Sequence, residues 1–185
     1  MLRIVGLVAA TLLLTGCGIF GGDDEEELEP MELVGFDESI KVKRIWSDKL
    51  GGESDYLRVA MRPTGDGNRI YGASQDGKVS AYDPESGDRL WRSDLDIELS
   101  AGPGAGEGVV VVIAKDGFAI ALDAATGAER WRVDVEAESL SIPLIKDDTV
   151  IIQTIDNRLQ ALNAFDGRQL WSLERSTPAL TMRHA

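Results

Sequence analysis

The feature that most limits what this chain can become is a repeat with a forty-residue period. Asp116 to Arg132 reads DGFAIALDAATGAERWR; forty residues earlier stands DGKVSAYDPESGDRLWR, and forty later DNRLQALNAFDGRQLWS. Trp91, Trp131 and Trp171 fall in register, as do Gly87, Gly127 and Gly167, and Ala81, Ala121 and Ala161. A unit of this size buries its apolar face only against its neighbours, so a period near 40 implies a solenoid or a propeller rather than one closed core.

The periodicity inside each unit selects between these. Val109 to Ile113 is a β-branched run between glycines and an Asp-Gly pair, which predicts a buried strand, with counterparts at Arg69 to Ser74 and Thr149 to Thr154. Asp76-Gly77, Asp116-Gly117 and Asp156-Asn157 predict two-residue hairpins. An alternating strand follows, then a turn at Gly87, Gly127 or Gly167, then a short strand carrying the tryptophan. The first strand of each unit is expected at Leu57 to Arg62, Ile97 to Gly102 and Glu138 to Ile142, ended by Pro63, Pro103 and Pro143. Four antiparallel strands per unit make a propeller blade, and no segment carries sustained helical periodicity. The fold class is therefore all-β. The flat, large tryptophans are expected to lie between successive blades, beside the small alanines, and Asp83, Asp123 and Asn163 to accept backbone N–H groups in the turns.

Charge and rare residues narrow the function. There are 32 Asp and Glu against 19 Lys and Arg, a field that repels phosphate backbones, so no nucleic-acid partner is expected. One cysteine (Cys17) and one histidine (His184) leave no internal disulfide and no histidine-based triad, and no catalytic residue, metal or cofactor is expected.

The first seventeen residues, MLRIVGLVAATLLLTGC, combine Arg3 with an apolar stretch from Ile4 to Leu14, too short to span a bilayer and consistent with a signal peptide. Leu14-Thr15-Gly16-Cys17 resembles a bacterial lipobox, which implies cleavage after Gly16 and acylation of Cys17; the alternative is an ordinary secretory signal with an incidental cysteine. Gly18 after the cysteine, in place of Asp, implies the periplasmic face of the outer membrane. The GGDDEEELEP segment reads as a solvated tether, since its consecutive acids lack the spacing and turn glycine of a calcium loop.

Ala121 to Trp131 matches the A-x-D-x-x-T-G-x-x-x-W repeat of the quinoprotein (PQQ-like) propellers in full; the copy at Ala81 departs at Ser86, and that at Ala161 at Asn163 and Asp166. Together with the lipobox and the acidic tether, the chain resembles the BamB family, lipoproteins of the outer-membrane β-barrel assembly machinery. That resemblance implies an eight-bladed ring, a BamA-type barrel subunit and nascent outer-membrane proteins as partners, and a membrane link through the lipid. The expected organisation is a signal peptide (1–16), a lipidated tether (17–39), an orphan outer strand with Trp46 (40–50), three blades (51–94, 95–134, 135–173) and a partner-binding loop (174–185). The chain is expected to be an N-terminal portion of the ring, with both end faces of the blade stack open. By resemblance, Leu180, Met182 and Arg183 contact the barrel subunit; the alternative is a plain connecting loop. Two other functions compete: a quinone-dependent dehydrogenase and a generic extracytoplasmic binding propeller.

Overall fold

The computed structural model describes residues 35, 39–51 and 61–174. The chain divides into two units, Met1–Lys41 and Val42–Ala185. In the first, the described residues form neither helix nor strand. In the second, the described residues form three four-stranded antiparallel sheets and no helix.

Blade 1 holds β1 (Thr64–Gly65), β2 (Ile70–Ala73), β3 (Lys78–Tyr82) and β4 (Arg89–Asp94). Blade 2 holds β5 (Leu99–Gly106), β6 (Val109–Ala114), β7 (Phe118–Asp123) and β8 (Glu129–Asp134). Blade 3 holds β9 (Leu144–Lys146), β10 (Thr149–Gln153), β11 (Arg158–Asn163) and β12 (Gln169–Glu174). Each sheet is a simple meander in sequence order.

The two-residue period of a strand places alternate side chains on opposite faces, and β6 uses both. Val110, Val112 and Ala114 join Tyr71, Val79 and Trp91 in a core between blades 1 and 2. Val109, Val111 and Ile113 join Trp131, Val150 and Leu162 in a core between blades 2 and 3. All six residues of β6 are buried, as a strand covered on both sides requires. The hydrophobic stabilisation thus lies in seams between units, which is the arrangement the forty-residue period demands.

Three local expectations need correction. The innermost strands lie later than expected. Of Leu57 to Arg62, residues 57–60 lie outside the described residues and Met61 and Arg62 are irregular; β1 begins only after Pro63. Glu138 to Ile142 carries no strand, and β9 begins after Pro143. Pro103 sits inside β5, where the pairing with β6 shifts register between Ala101 and Gly104. A residue without an N–H is accommodated at a strand start or an irregularity as well as at its end, so proline marks the edge strand without marking its terminus.

The hairpin loops have three residues, not two. Ser74 pairs with Lys78 through its N–H (2.9 Å), and the Gly77 N–H returns to the Ser74 carbonyl (3.1 Å). Ala114 and Gly117, and Thr154 and Asn157, repeat this turn. Only the second member of each predicted pair is left-handed: Gly77 (φ 90°), Gly117 (φ 91°) and Asn157 (φ 65°). The aspartate before it stays right-handed, which makes a type I turn closed by a bulge instead of a primed turn.

Lastly, the segment expected as an outer strand at 40–50 joins no ladder. Its residues 42–51 lie on the face of blade 1, not along its edge, so the backbone has no strand beside it to pair with.

Candidate functional site

The repeated motif builds one device three times. In each A-x-D-x-x-T-G turn a side-chain oxygen gathers two backbone N–H groups. Asp83 Oδ1 accepts from Glu85 and Ser86 (2.9 and 2.8 Å), Asp123 Oδ1 from Ala125 and Thr126 (3.0 and 2.9 Å), and Asn163 Oδ1 from Phe165 and Asp166 (2.9 and 3.3 Å). These amide donors favour the ionised form and hold the Asp83 carboxyl below its ordinary range. Arg130 adds its guanidinium to Asp123 (2.6 Å), and with the Thr126 hydroxyl lowers that carboxyl to about 2.

The glycine that closes the turn makes the seat for an indole. The N–H of Gly127 returns to the Asp123 carbonyl (2.8 Å) with φ at 75°. Its missing side chain leaves room for the Trp91 ring, whose Cε3 lies 2.5 Å from where a Cβ would stand. The Trp91 indole N–H then donates to the Ala124 carbonyl (3.0 Å). Trp131 repeats this on blade 3, over Gly167 and to the Ala164 carbonyl (2.9 Å). The ring is buried, its only polar group is satisfied, and the seam is directional: each blade gives an indole forward and offers a seat backward.

Trp46 fills the same seat on blade 1. Its ring covers Gly87, its N–H donates to the Pro84 carbonyl (2.9 Å), and it stacks on Tyr82 with ring centroids 5.9 Å apart. The expectation that both ends of the blade stack stand open therefore holds only for blade 3. There Leu144, Ile151, Ala161 and Trp171 stand in one cross-strand row, Leu144 opposite Ile151, Ile151 opposite Ala161 and Ala161 opposite Trp171. Trp171 is 45% exposed, against 7% for Trp131. The whole of β12 is exposed.

Among the described residues no group of three His, Cys, Asp or Glu side chains is placed to share a metal ion. Three of the four tryptophans are committed to seams, together with Gly87, Gly127 and Gly167. Cys17, Leu180, Met182 and Arg183 lie outside the described residues. The seat carbonyls of Pro84, Ala124 and Ala164 were not singled out from the sequence, because a backbone acceptor has no residue signature. The signal was nevertheless there: each stands immediately after the turn Asp or Asn.

The model of the family described as outer membrane protein assembly factor BamB matches residues 75–185. BamB of Pseudomonas aeruginosa is 40% identical over 106 residues, covering 57% of this chain and 27% of that protein. BamB of Xanthomonas campestris is 36% identical over 130 residues, covering 60% of this chain and 32% of its own. The chain thus spans about a quarter to a third of the length of the curated relatives it matches. The crystal structure of BamB from Moraxella catarrhalis superposes with a TM-score of 0.59 at 28% identity, over 69% of this chain and 39% of that one. A quinohemoprotein alcohol dehydrogenase from Comamonas testosteroni gives 0.54 at 26% identity, over 63% of this chain and 21% of its own. A family model that covers residues 75–185, three meander sheets and indole seams in register with the repeat lead to one assignment: the chain belongs to the BamB family of outer membrane protein assembly factors.

Proposed function

We propose that the chain serves as a non-enzymatic scaffold in outer-membrane β-barrel assembly, lipid-anchored through Cys17 at the periplasmic face of the outer membrane. Family membership supports the assembly role. The observation that carries the scaffold reading is the commitment of the repeat residues. Trp91 and Trp131 are bound to the neighbouring blade and Asp83, Asp123 and Asn163 to amides of their own turns, so the turn loops and the exposed apolar side chains remain as contact surface. In this reading Leu180, Met182 and Arg183 form the contact with a BamA-type barrel subunit, two apolar side chains beside one cationic anchor, and nascent outer-membrane proteins are the substrates that the assembly handles.

The test is co-purification from detergent-extracted membranes. The parent protein is expected to carry the barrel subunit with it, and Leu180→Ala combined with Arg183→Ala to lose it. Retention of the subunit by the double variant would move the contact elsewhere. Radiolabelled palmitate should enter the parent protein and not Cys17→Ser. The similarity to the Comamonas dehydrogenase gives the enzymatic alternative a footing. Stoichiometric binding of a quinone chromophore, in the presence of calcium, would favour that alternative.

A further inference from the structure

Three carboxylates from three elements gather around one cation on blade 3. Glu136 belongs to the connector from β8 to β9, Asp156 to the hairpin between β10 and β11, and Glu174 ends β12. Arg158, the first residue of β11, serves all three. Its Nη1 donates to the Glu136 carboxylate, its Nη2 lies 3.1 Å from Asp156 Oδ2, and the residue stands directly opposite Glu174 in the ladder. The bond to Glu136, with the charges of Asp156 and Glu174, raises the guanidinium above its ordinary value.

The cluster is not a by-product of the repeat. In blade 2 the equivalent of Arg158 is Phe118, which packs against the core between blades 1 and 2 and stands opposite Asp134 without a charge. Blade 1 has Lys78, bonded to Asp76 of its own hairpin. Among the described residues only the fork of Arg158 joins a hairpin carboxylate to one on a connector, a reach that suits a planar guanidinium better than a point charge. The connector residue it holds, Glu136, is left-handed at φ 67°. The chain runs from Glu174 straight into residues 175–185. Without the guanidinium, three like charges would face one another at the root of that segment. Like charges that share one site or oppose each other across a ladder repel, and Glu174, at the end of its strand, is the one free to turn away.

We propose that Arg158 is a positioning residue for the barrel-subunit contact: by neutralising Glu136, Asp156 and Glu174 together, it fixes the direction in which the chain leaves β12 towards Leu180, Met182 and Arg183. This rests on the reading that those three residues make the contact. Arg158 acts through Glu174 and does not itself touch the partner.

The affinity of the full chain for the purified barrel subunit in detergent tests this, with thermal unfolding measured alongside. Arg158→Met is expected to weaken binding about tenfold, the scale of coupling within one charge network. Its unfolding midpoint should move by less than about 4 °C, since a part-exposed ion pair adds little stability. Glu174→Gln added to Arg158→Met is expected to restore most of the affinity, which it could not do if Arg158 bound the partner directly. Salt at about 0.5 M should narrow the gap between Arg158→Met and the parent. If Arg158→Met loses its β-sheet circular dichroism, Glu174→Arg, which opposes Arg158 with a like charge, is read in its place and is expected to weaken binding likewise. Leu180→Ala with Arg183→Ala keeps the two readings apart. If that variant binds as the parent does, the contact lies elsewhere and Arg158 has nothing to position. If it loses binding while the folded Arg158→Met or Glu174→Arg binds as the parent does, the contact stands and the positioning role falls. The role also falls if Glu174→Gln restores nothing to Arg158→Met.

Discussion

Blades 2 and 3 share a strand plan and differ in what surrounds them. In blade 2 the row Val111–Ala121–Trp131 is buried against blade 3; in blade 3 the equivalent Trp171 is 45% exposed and Leu173, two residues on, 61%. The residues that look alike in the sequence are therefore not alike in energy. Burial belongs to the pair of neighbours and not to the unit, as expected where stability is a sum of unit and interface contributions.

The largest test of this difference is Trp131→Ala, which empties a filled seam and abandons the Ala164 carbonyl. A loss of about 3–5 kcal/mol is expected from denaturant unfolding, and Trp91→Ala should behave alike. Gly127→Ala attacks the same type of seam from the seat side. It puts a side chain at φ 75° and drives a methyl into the Trp91 ring, for an expected loss of about 2–4 kcal/mol. Tyr71→Phe removes a hydroxyl whose single proton is shared between Asp66 (2.7 Å) and the Ala124 carbonyl (3.3 Å), with an expected cost of about 1 kcal/mol.

A pH titration separates the blade 2 turn from the blade 3 turn. The Asp123 carboxyl titrates at about 2, below its ordinary 3.8, so its contribution is complete above the ordinary value and disappears as the pH falls towards 2. Asn163 does not ionise. Amide exchange at Thr126 should therefore accelerate, relative to the Asp166 amide and after correction for intrinsic rates, between about pH 4 and pH 2. The smallest effect is expected of Trp171→Ala, under about 1 kcal/mol, because the ring is already half in water. Equal losses from Trp171→Ala and Trp131→Ala would break the comparison between the two blades.

Much of this was readable before any coordinates. The repeat dictated the number of sheets, the unbroken β-branched run of β6 dictated a buried strand, and the turn Asp and Gly announced themselves by residue type. The missed details share a physical cause. Proline says that an N–H is absent and leaves the strand free to start, bend or stop there. An Asp-Gly pair fits more than one loop length, and the strand pairing decides which. Trp46 lacks the motif that marks the other tryptophans, so its seat emerged only from the Gly87 and Pro84 contacts. The seat carbonyls are main-chain atoms, and any residue could supply them.

The Ala124 carbonyl accepts from two donors, the Trp91 indole and the Tyr71 hydroxyl. Val111 and Ile151 stand where Tyr71 would recur, so this double latch occurs once among the described seams. Units of a tandem array are often treated as interchangeable modules. Here, excising one forty-residue unit would set Tyr71 against the partner of a different indole, and the order of the units is itself part of what the chain encodes.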